Sequence, residues 1–197
     1  MGKNRITRLG RLTFDRKIGT GTFRDCYSIK GRNDICIKVI RSDLGLYRRT
    51  WIRFFRKKIN SEEYESYSKL PEEIKKFFNP VCDAGDDYAI SPIPKDFDGT
   101  YSRSLREYKG VANEKFWDEI GFLFRYLLSN RLWFFDVFTG HNLLVVKQSA
   151  DEWMPIIIDF KQSGWKAYRF QVNLLLLSQK RKKLQRQYER LIMKYRK

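Results

Sequence analysis

The sequence predicts an α+β fold, and three features carry that prediction. Short runs rich in β-branched and aromatic residues, broken by a glycine turn, occupy residues 12–40 and indicate strands. Apolar residues recur at helical spacing over 113–130, which predicts an amphipathic helix. Two further apolar runs, 143–146 and 154–158, are joined by a polar link and predict a β-hairpin. The 197 residues suffice for one full-sized core or a two-lobed unit.

The composition favours anionic partners without choosing among them. The formal net charge is +17, which suits nucleotides, nucleic acid, a phosphorylated glycolipid or an acidic membrane surface. Three scattered cysteines with no C-x-x-C pair argue against a zinc site and fit a reducing, cytoplasmic setting. No run of about 18 apolar residues exists, so we expect no transmembrane helix. Peripheral contact with the inner membrane remains an open alternative.

The first candidate site is a glycine turn followed by a lysine in an apolar strand. Gly19 and Gly21 frame a turn whose backbone could approach phosphate oxygens, although a plain β-turn explains the same residues. Lys38 lies in the middle of ICIKVI, where a buried lysine needs an anion to offset its desolvation. The alternative is that Lys38 faces solvent on an edge strand. The helical stretch 59–70 carries several glutamates, one of which could turn toward Lys38.

Two segments combine basic residues with apolar residues at helical spacing. In 46–58, LYRRTWIRFFRKK, one face is aromatic, which suits an acidic bilayer or a phosphate-bearing glycolipid. Nucleic acid is an alternative for this segment, and so is an ordinary helix with a solvated basic face. The second segment, 172–197, has an apolar stripe that we expect to pack on the second lobe; its members are Leu177, Leu184, Tyr188, Leu191 and Tyr195.

The clearest predicted helix runs through NEKFWDEIGFLFRYLLSN at 113–130. Asn113 is its expected N-cap. Its expected buried face consists of Phe116, Trp117, Ile120, Leu123, Phe124 and Leu127.

The second candidate site lies in 134–160, where three polar residues interrupt apolar sequence. Asn142 stands at the entrance of the predicted hairpin and Asp159 at its exit, so both side chains should reach the same rim. Asp136 precedes the hairpin by a few residues. Two carboxylates and a carboxamide are hard oxygen ligands, which suit magnesium bound to a nucleotide phosphate. The alternative is that all three are ordinary turn or strand-end residues.

Between these two sites the sequence predicts a further hairpin and a hinge. Residues 79–94 predict the hairpin, with its second strand at 88–91. Residues 93–105, IPKDFDGTYSRSL, are rich in Pro, Asp and Gly and predict a hinge between two lobes.

The order of these parts resembles the protein-kinase-like fold. In more detail, residues 17–195 are similar to the small bacterial YrbL-like family of the PhoP regulatory network. The similarity is carried by IGTGTFRDCY, ICIKV, EYESYSKL, DFDG, YLLSNRLWFFDVFTGHNLLV and IIIDF. It implies one two-lobed domain over 1–197, with an N-lobe of strands and a helix at about 12–93 and a minimal helical C-lobe at 94–197. Related small kinases phosphorylate sugars of the lipopolysaccharide core.

The resemblance also implies a role for each site residue. The phosphate-covering loop would comprise Gly19, Thr20, Gly21 and Thr22, and the adenine would lie near Ser91 to Lys95, with Ser91 and Ile93 in contact. Lys38 would hold the α- and β-phosphates, with Glu63 as its helix partner. Asp136 would orient or deprotonate the acceptor hydroxyl, and Asn142 and Asp159 would hold magnesium. The implied cofactors are therefore ATP and Mg²⁺.

Four positions depart from the kinase pattern. Arg24 stands where a third glycine is expected, no His-Arg pair precedes Asp136, five residues rather than four separate Asp136 from Asn142, and Lys161 follows Asp159-Phe160. A nucleotide-binding pseudokinase with a regulatory role is therefore the first alternative function. A basic nucleic-acid-binding protein is the second, although it leaves Lys38 unexplained.

The acceptor is expected to be a sugar or glycolipid hydroxyl rather than a protein. No A-P-E motif follows Asp159, and few residues remain there for the segment on which peptide substrates dock. Basic surface would attract an anionic acceptor.

Overall fold

The computed structural model describes residues 4–7, 10–21, 23–46, 50, 59–162 and 177–197. The chain divides into two compact units. The first comprises Met1–Lys69 and Pro80–Ile93, and the second comprises Leu70–Asn79 and Pro94–Lys197. Both units mix helices with antiparallel strands, so the α+β prediction is confirmed.

The first unit is built on a six-stranded antiparallel sheet in the order β1-β2-β3-β4-β6-β5. Among the described residues of this unit, helix α1 spans Ile59–Ser68. The strands are β1 (Asn4–Thr7), β2 (Gly10–Thr20), β3 (Arg24–Ile29), β4 (Arg32–Ile40), β5 (Asp83–Ala84) and β6 (Tyr88–Pro92).

The alternation of residues along β4 explains why this strand has two different faces. Ile35, Ile37 and Val39 point to one face and join a buried apolar cluster. Cys36 and Lys38 therefore point to the other face. The remaining members of the cluster are Leu12, Phe14, Ile29, Tyr88 and Ile90.

The described part of the second unit, 70–79, 94–162 and 177–197, forms small sheets and helices. A three-stranded antiparallel sheet has the order β10-β9-β7, and β8 pairs with β11. The strands are β7 (Arg103–Ser104), β8 (Phe134–Phe135), β9 (Leu143–Lys147), β10 (Trp153–Ile157) and β11 (Lys161–Gln162). The helices are α2 (Glu72–Lys75), α3 (Leu105–Tyr108), α4 (Glu114–Ser129) and α5 (Leu177–Tyr195).

The first unit ends at Ile93, but residues 70–79, which were expected in the N-lobe, group with the second unit although they precede β5 and β6 in the chain. The reason is backbone pairing with β10. The amide of Asn79 donates to the carbonyl of Ile157 over 2.9 Å, and the amide of Ile157 donates to the carbonyl of Phe77 over 2.7 Å. The fully buried rings of Phe77 and Phe78 complete the attachment. The single-domain organisation over 1–197 stays a prediction.

Helices α4 and α5 pack together in the second unit. The side chain of Asn113 accepts a hydrogen bond from the amide of Phe116 over 2.9 Å, so the predicted N-cap is confirmed. Phe124, predicted on the buried face, is half-buried, and its ring stacks on Tyr188 of α5 with ring centroids 4.0 Å apart. The prediction that Leu177 belongs to the packed apolar stripe of α5 is wrong, because 57% of its surface is exposed at the start of the helix.

Most of the basic segment 46–58 lies outside the described residues, as do Thr22 and residues 172–176. Among the helices that the structure describes, none is long and apolar enough to cross a bilayer.

Candidate functional site

Lys38 lies on an interior strand and forms a buried ion pair. Strand β4 is hydrogen-bonded on both sides, so the alternative of a solvent-facing lysine on an edge strand is wrong. The Lys38 ammonium lies 2.6 Å from Oε1 of Glu63, and the two side chains are 12% and 0% exposed. The structure thus pairs the strand lysine with the glutamate expected from the sequence.

Glu63 has a second cationic partner, Arg24, that sequence reasoning did not assign to the site. Nη1 of Arg24 lies 2.5 Å from Oε2 of Glu63 and donates to Oδ1 of Asn60 over 3.1 Å. Arg24 is buried, with 7% of its side chain exposed. The signal was present in the sequence, because Arg24 occupies the position of the absent third glycine. The arrangement places two cations around one carboxylate.

The glycine turn between β2 and β3 has the predicted strand–turn–strand form. The amide of Gly21 donates to the carbonyl of Arg24 over 2.7 Å, and a Cβ at Gly21 would lie 3.3 Å from that oxygen. A Cβ at Gly19 would meet only ordinary contact at 3.6 Å, so glycine is sterically favoured at 21 alone. Thr20, whose side chain hydrogen-bonds Asp25, pairs with it across the strands. Thr22 lies outside the described residues.

Asp25 ties the two strands of this turn together. Its carboxylate lies 2.8 Å from the ammonium of Lys17. Burial alone would raise the pKa of Asp25, but hydrogen bonds from Lys17 and Thr20 outweigh burial and hold the pKa below its ordinary value of 3.8. The turn is therefore braced by a charged pair next to Arg24.

The residues expected to contact adenine are held within the first unit. The side chain of Ser91 is fully buried, opposite Cys36 across the β4–β6 pair. The amide of Ile93 donates to the carbonyl of Asp34 over 2.8 Å. These groups hold the end of β6 against β4, and their contact with a nucleotide stays a prediction.

Two cysteines lie beside Lys38 in neighbouring strands. The hydrogen bond between the Cys26 and Cys36 thiols raises the pKa of Cys26, and burial raises it further. The same hydrogen bond lowers the pKa of Cys36. Cys26, Cys36 and Cys82 are all free thiols.

In the second unit, two antiparallel pairings bring Asp136, Asn142 and Asp159 to one end of the structure. The predicted hairpin is present as β9–β10, and the amide of Ile158 donates to the carbonyl of Asn142 over 2.8 Å. Asp136 directly follows β8, and Asp159 lies two residues before β11, the strand that pairs with β8. The hairpin entrance, the hairpin exit and the end of β8 therefore meet.

The loop from Asp136 to Asn142 closes on itself despite its additional residue. Nδ2 of Asn142 donates to the backbone carbonyl of Asp136 over 3.0 Å, and Oγ1 of Thr139 donates to the same carbonyl over 2.9 Å. Asp136 and Asp159 both adopt left-handed backbone conformations, with φ of 63° and 54°. Such conformations cost free energy in a residue other than glycine and persist where the surroundings hold them.

Buried aromatic rings on both sides of the loop provide that support. Phe160, directly after Asp159, is fully buried and packs edge-on against Phe78 with centroids 4.8 Å apart. Phe138 is 2% exposed and packs edge-on against Tyr188 with centroids 5.7 Å apart. Asp136 itself is exposed, whereas Val137 directly after it is fully buried.

A second residue that sequence reasoning missed contacts Asp136. Nε2 of Gln187, on helix α5, donates to Oδ1 of Asp136 over 3.0 Å. The two residues are 51 positions apart. No local sequence pattern predicts a contact between residues so far apart. The sequence predicted only that the apolar residues around Gln187 lie on one face of a helix.

The donor set of Asn142 and Asp159 fits a magnesium ion that also binds phosphate. Magnesium takes one or two protein oxygen ligands and fills its remaining positions with water and phosphate oxygens. Within the described residues no group of three or more His, Cys, Asp or Glu side chains could hold a metal by itself.

These elements define a protein of the kinase-like fold, and solved structures agree. The Rio2 kinase of Chaetomium thermophilum, in its complex with ADP/Mg²⁺ and phosphoaspartate, matches with a TM-score of 0.57 and 16% identity over 90% of this chain. A second structure of Rio2 kinase from the same organism matches with a TM-score of 0.58 and 13% identity over 92% of this chain. The chain spans 55% and 57% of those two proteins, and identities this low show the fold alone.

The chain belongs to the family described as PhoP regulatory network protein YrbL, whose pattern matches residues 11–196. The resemblance stated from the sequence motifs is thereby confirmed. No curated protein matches the sequence.

Proposed function

We propose that this protein is a magnesium-dependent ATP phosphotransferase that acts on a sugar or glycolipid hydroxyl of the lipopolysaccharide-core type. The observation that carries the proposal is the buried ion pair between Lys38 and Glu63 on an interior strand. A buried charge is costly unless it is compensated, so a protein retains one where it serves a ligand.

The charges around Glu63 support an anionic ligand. Glu63 is bound by two buried cationic side chains, Lys38 and Arg24. When Lys38 turns to the α- and β-phosphates of a nucleotide, Arg24 still compensates the buried carboxylate. Arg24 thus reduces the electrostatic cost of freeing Lys38 for phosphate.

In the second unit the three polar residues take separate roles. Asn142 and Asp159 would hold magnesium, which supplies positive charge against the transferring phosphoryl group. Asp136 would accept the proton of the acceptor hydroxyl or orient it. Catalysis in this class consists mostly of positioning and electrostatic stabilisation, so the rigid support of the loop matters more than covalent chemistry.

The positive charge of the chain supports an anionic acceptor. The net charge is +17, and helix α5 alone carries seven lysines and arginines against one glutamate. Phosphorylated sugars and acidic membrane surfaces are attracted to such a surface. The acceptor class itself comes from the family resemblance.

The first experiment measures nucleotide binding by thermal shift. ATP with magnesium should raise the melting temperature more than ATP alone, and Lys38→Met should abolish the gain. Lys30→Met is the matched control, because Lys30 is an exposed lysine at the turn between β3 and β4. If ATP with magnesium does not change the melting temperature of the wild-type protein, the proposal is wrong.

The second experiment measures transfer from γ-labelled ATP to lipopolysaccharide core oligosaccharide. Asp136→Ala should keep nucleotide binding and lose transfer, by at least about a hundredfold if it acts on the acceptor proton. Asp159→Ala should lower magnesium affinity as well. Asp118→Ala, at an exposed aspartate of α4, is the control for both variants.

One observation favours a second candidate, a pseudokinase that binds nucleotide without turnover. Arg24 replaces the glycine that would let the phosphate-covering turn approach its ligand, and its side chain is committed to Glu63. This candidate predicts the same thermal shift with no release or transfer of label.

A further inference from the structure

Helix α5 contacts the loop 136–142 at Asp136, the residue proposed to act on the acceptor hydroxyl. Gln187 donates from Nε2 to Oδ1 of Asp136 over 3.0 Å. Two further residues of α5 contact the same loop: Tyr188 packs on Phe138, and Tyr195 is the nearest neighbour of Gly140. The helix therefore meets the loop at three of its residues.

Packing holds Gln187 in its place on the helix. Leu184 and Leu191 are buried, and the ring of Tyr188 is stacked on Phe124 at an interplanar angle of 4°. The other end of the Gln187 amide, Oε1, is buried with no hydrogen-bond partner among the described residues. A buried amide oxygen without a partner costs free energy, so local satisfaction does not explain this orientation.

A neutral amide has a specific advantage next to a carboxylate that must accept a proton. A lysine or arginine at this position would offset the negative charge of Asp136 and weaken it as a base. The glutamine holds Oδ1 in a fixed direction and leaves the charge intact. Oδ2 then remains available to an acceptor hydroxyl.

We propose that Gln187 is the positioning residue for Asp136, so that helix α5 is part of the active site. This inference rests on the proposed function, since it assigns to Gln187 the orientation of the carboxylate that receives the acceptor. It gives the basic C-terminal helix a role beyond surface charge.

The helix offers a matched control for the first experiment. Gln185 lies two residues earlier on α5 and donates to Glu189 at the exposed surface. With γ-labelled ATP and magnesium, Gln187→Ala should lower kcat by at least about tenfold and leave KM for ATP within about twofold. Gln185→Ala should leave both near wild type. A wild-type kcat for Gln187→Ala, or equal losses in the two variants, would overturn the inference.

A pH profile separates positioning from a purely structural role. In Gln187→Glu the introduced carboxyl donates to Asp136 only when it is protonated and repels it otherwise. The ratio of variant to wild-type kcat should therefore rise as pH falls from about 8 to about 5.5. A ratio that does not change over this range would contradict the inference, because lost packing does not depend on that proton.

Melting temperatures test the contact between Gln187 and Asp136 without requiring catalytic turnover, so this test does not depend on the proposed function. Gln187→Ala should lower the melting temperature when introduced into the wild-type chain. In an Asp136→Ala background the same substitution should lower it much less, because the interaction between the two side chains is already absent. Equal shifts in both backgrounds would overturn the placement of Gln187. Absence of turnover in the wild type would refute the proposed function, and this comparison would still decide whether α5 holds the aspartate.

Discussion

The guanidinium of Arg24 and the carboxylate of Glu63 form an ion pair of 2.5 Å with almost no exposure of either side chain. The finding gives a structural meaning to a departure from the kinase pattern. Where a third glycine would leave open space, this chain has an arginine turned inward to the glutamate that also holds Lys38. The glycine turn and helix α1 are therefore linked through charge.

This relationship predicts an order of stability losses. Glu63→Gln leaves two buried cations without their anion and should lower the free energy of unfolding by about 3–5 kcal/mol. Arg24→Met leaves the Glu63–Lys38 pair intact and should cost less, about 1–3 kcal/mol. Urea denaturation measures both. The control is Arg32→Met, whose pair with Asp34 is exposed and should contribute little. Equal losses for Arg24 and Arg32 would contradict the burial argument.

The bracing of the glycine turn predicts a response to acid. The pKa of Asp25 is held below 3.8, so its contribution to stability is complete above that value and is lost as pH falls through the lower folded pKa. Asp25→Asn should flatten the decline of melting temperature below about pH 4. Lys17→Met removes a bond that lowers this pKa, so the folded pKa moves toward the unfolded value and the decline should become shallower. Lys30→Met should leave the wild-type curve unchanged, and a shift there equal to that of Lys17→Met would contradict the assignment.

The loop between Asp136 and Asn142 predicts a steric effect at Gly140. A Cβ there would lie 2.5 Å from the hydroxyl oxygen of Tyr195, whose ring is buried and whose carbonyl accepts from the amide of Val111. Gly140→Ala should lower the free energy of unfolding by about 1–3 kcal/mol. Tyr195→Phe should restore part of the loss by removing the hydroxyl.

Chemical denaturation of the single and double variants checks this clash. Gly45→Ala is the control, because a Cβ at Gly45 meets nothing within 4 Å. If Gly140→Ala is as stable as Gly45→Ala, Tyr195 moves aside without lowering the free energy of unfolding, and the predicted clash is wrong.

Local sequence patterns were sufficient to predict those features of the structure that depend on residues close together in the chain. The alternation of ICIKVI determined which residues of β4 face the apolar cluster, and the Asn113 cap set the start of α4. The polar link between two apolar runs predicted the β9–β10 hairpin and therefore the proximity of Asn142 to Asp159. These inferences required only strand and helix periodicity.

The choice of partners was decided by tertiary structure. Helix α1 offers Glu62, Glu63 and Glu65, and only Glu63 is fully buried, where it meets Lys38. The second cation on Glu63 and the amide on Asp136 come from Arg24 and Gln187, far away in the chain. Residues 70–79 likewise join the second unit through backbone bonds to β10.

What the sequence alone determined is therefore the kind of element at each position and the chemical types available for a phosphate and metal site. What only the folded chain decided is which side chains meet. Periodicity constrains a residue to a face of its own helix or strand, whereas a contact such as that between Gln187 and Asp136 depends on the packing of whole elements against one another. That packing is fixed by the combined shape of buried side chains, which no short segment contains.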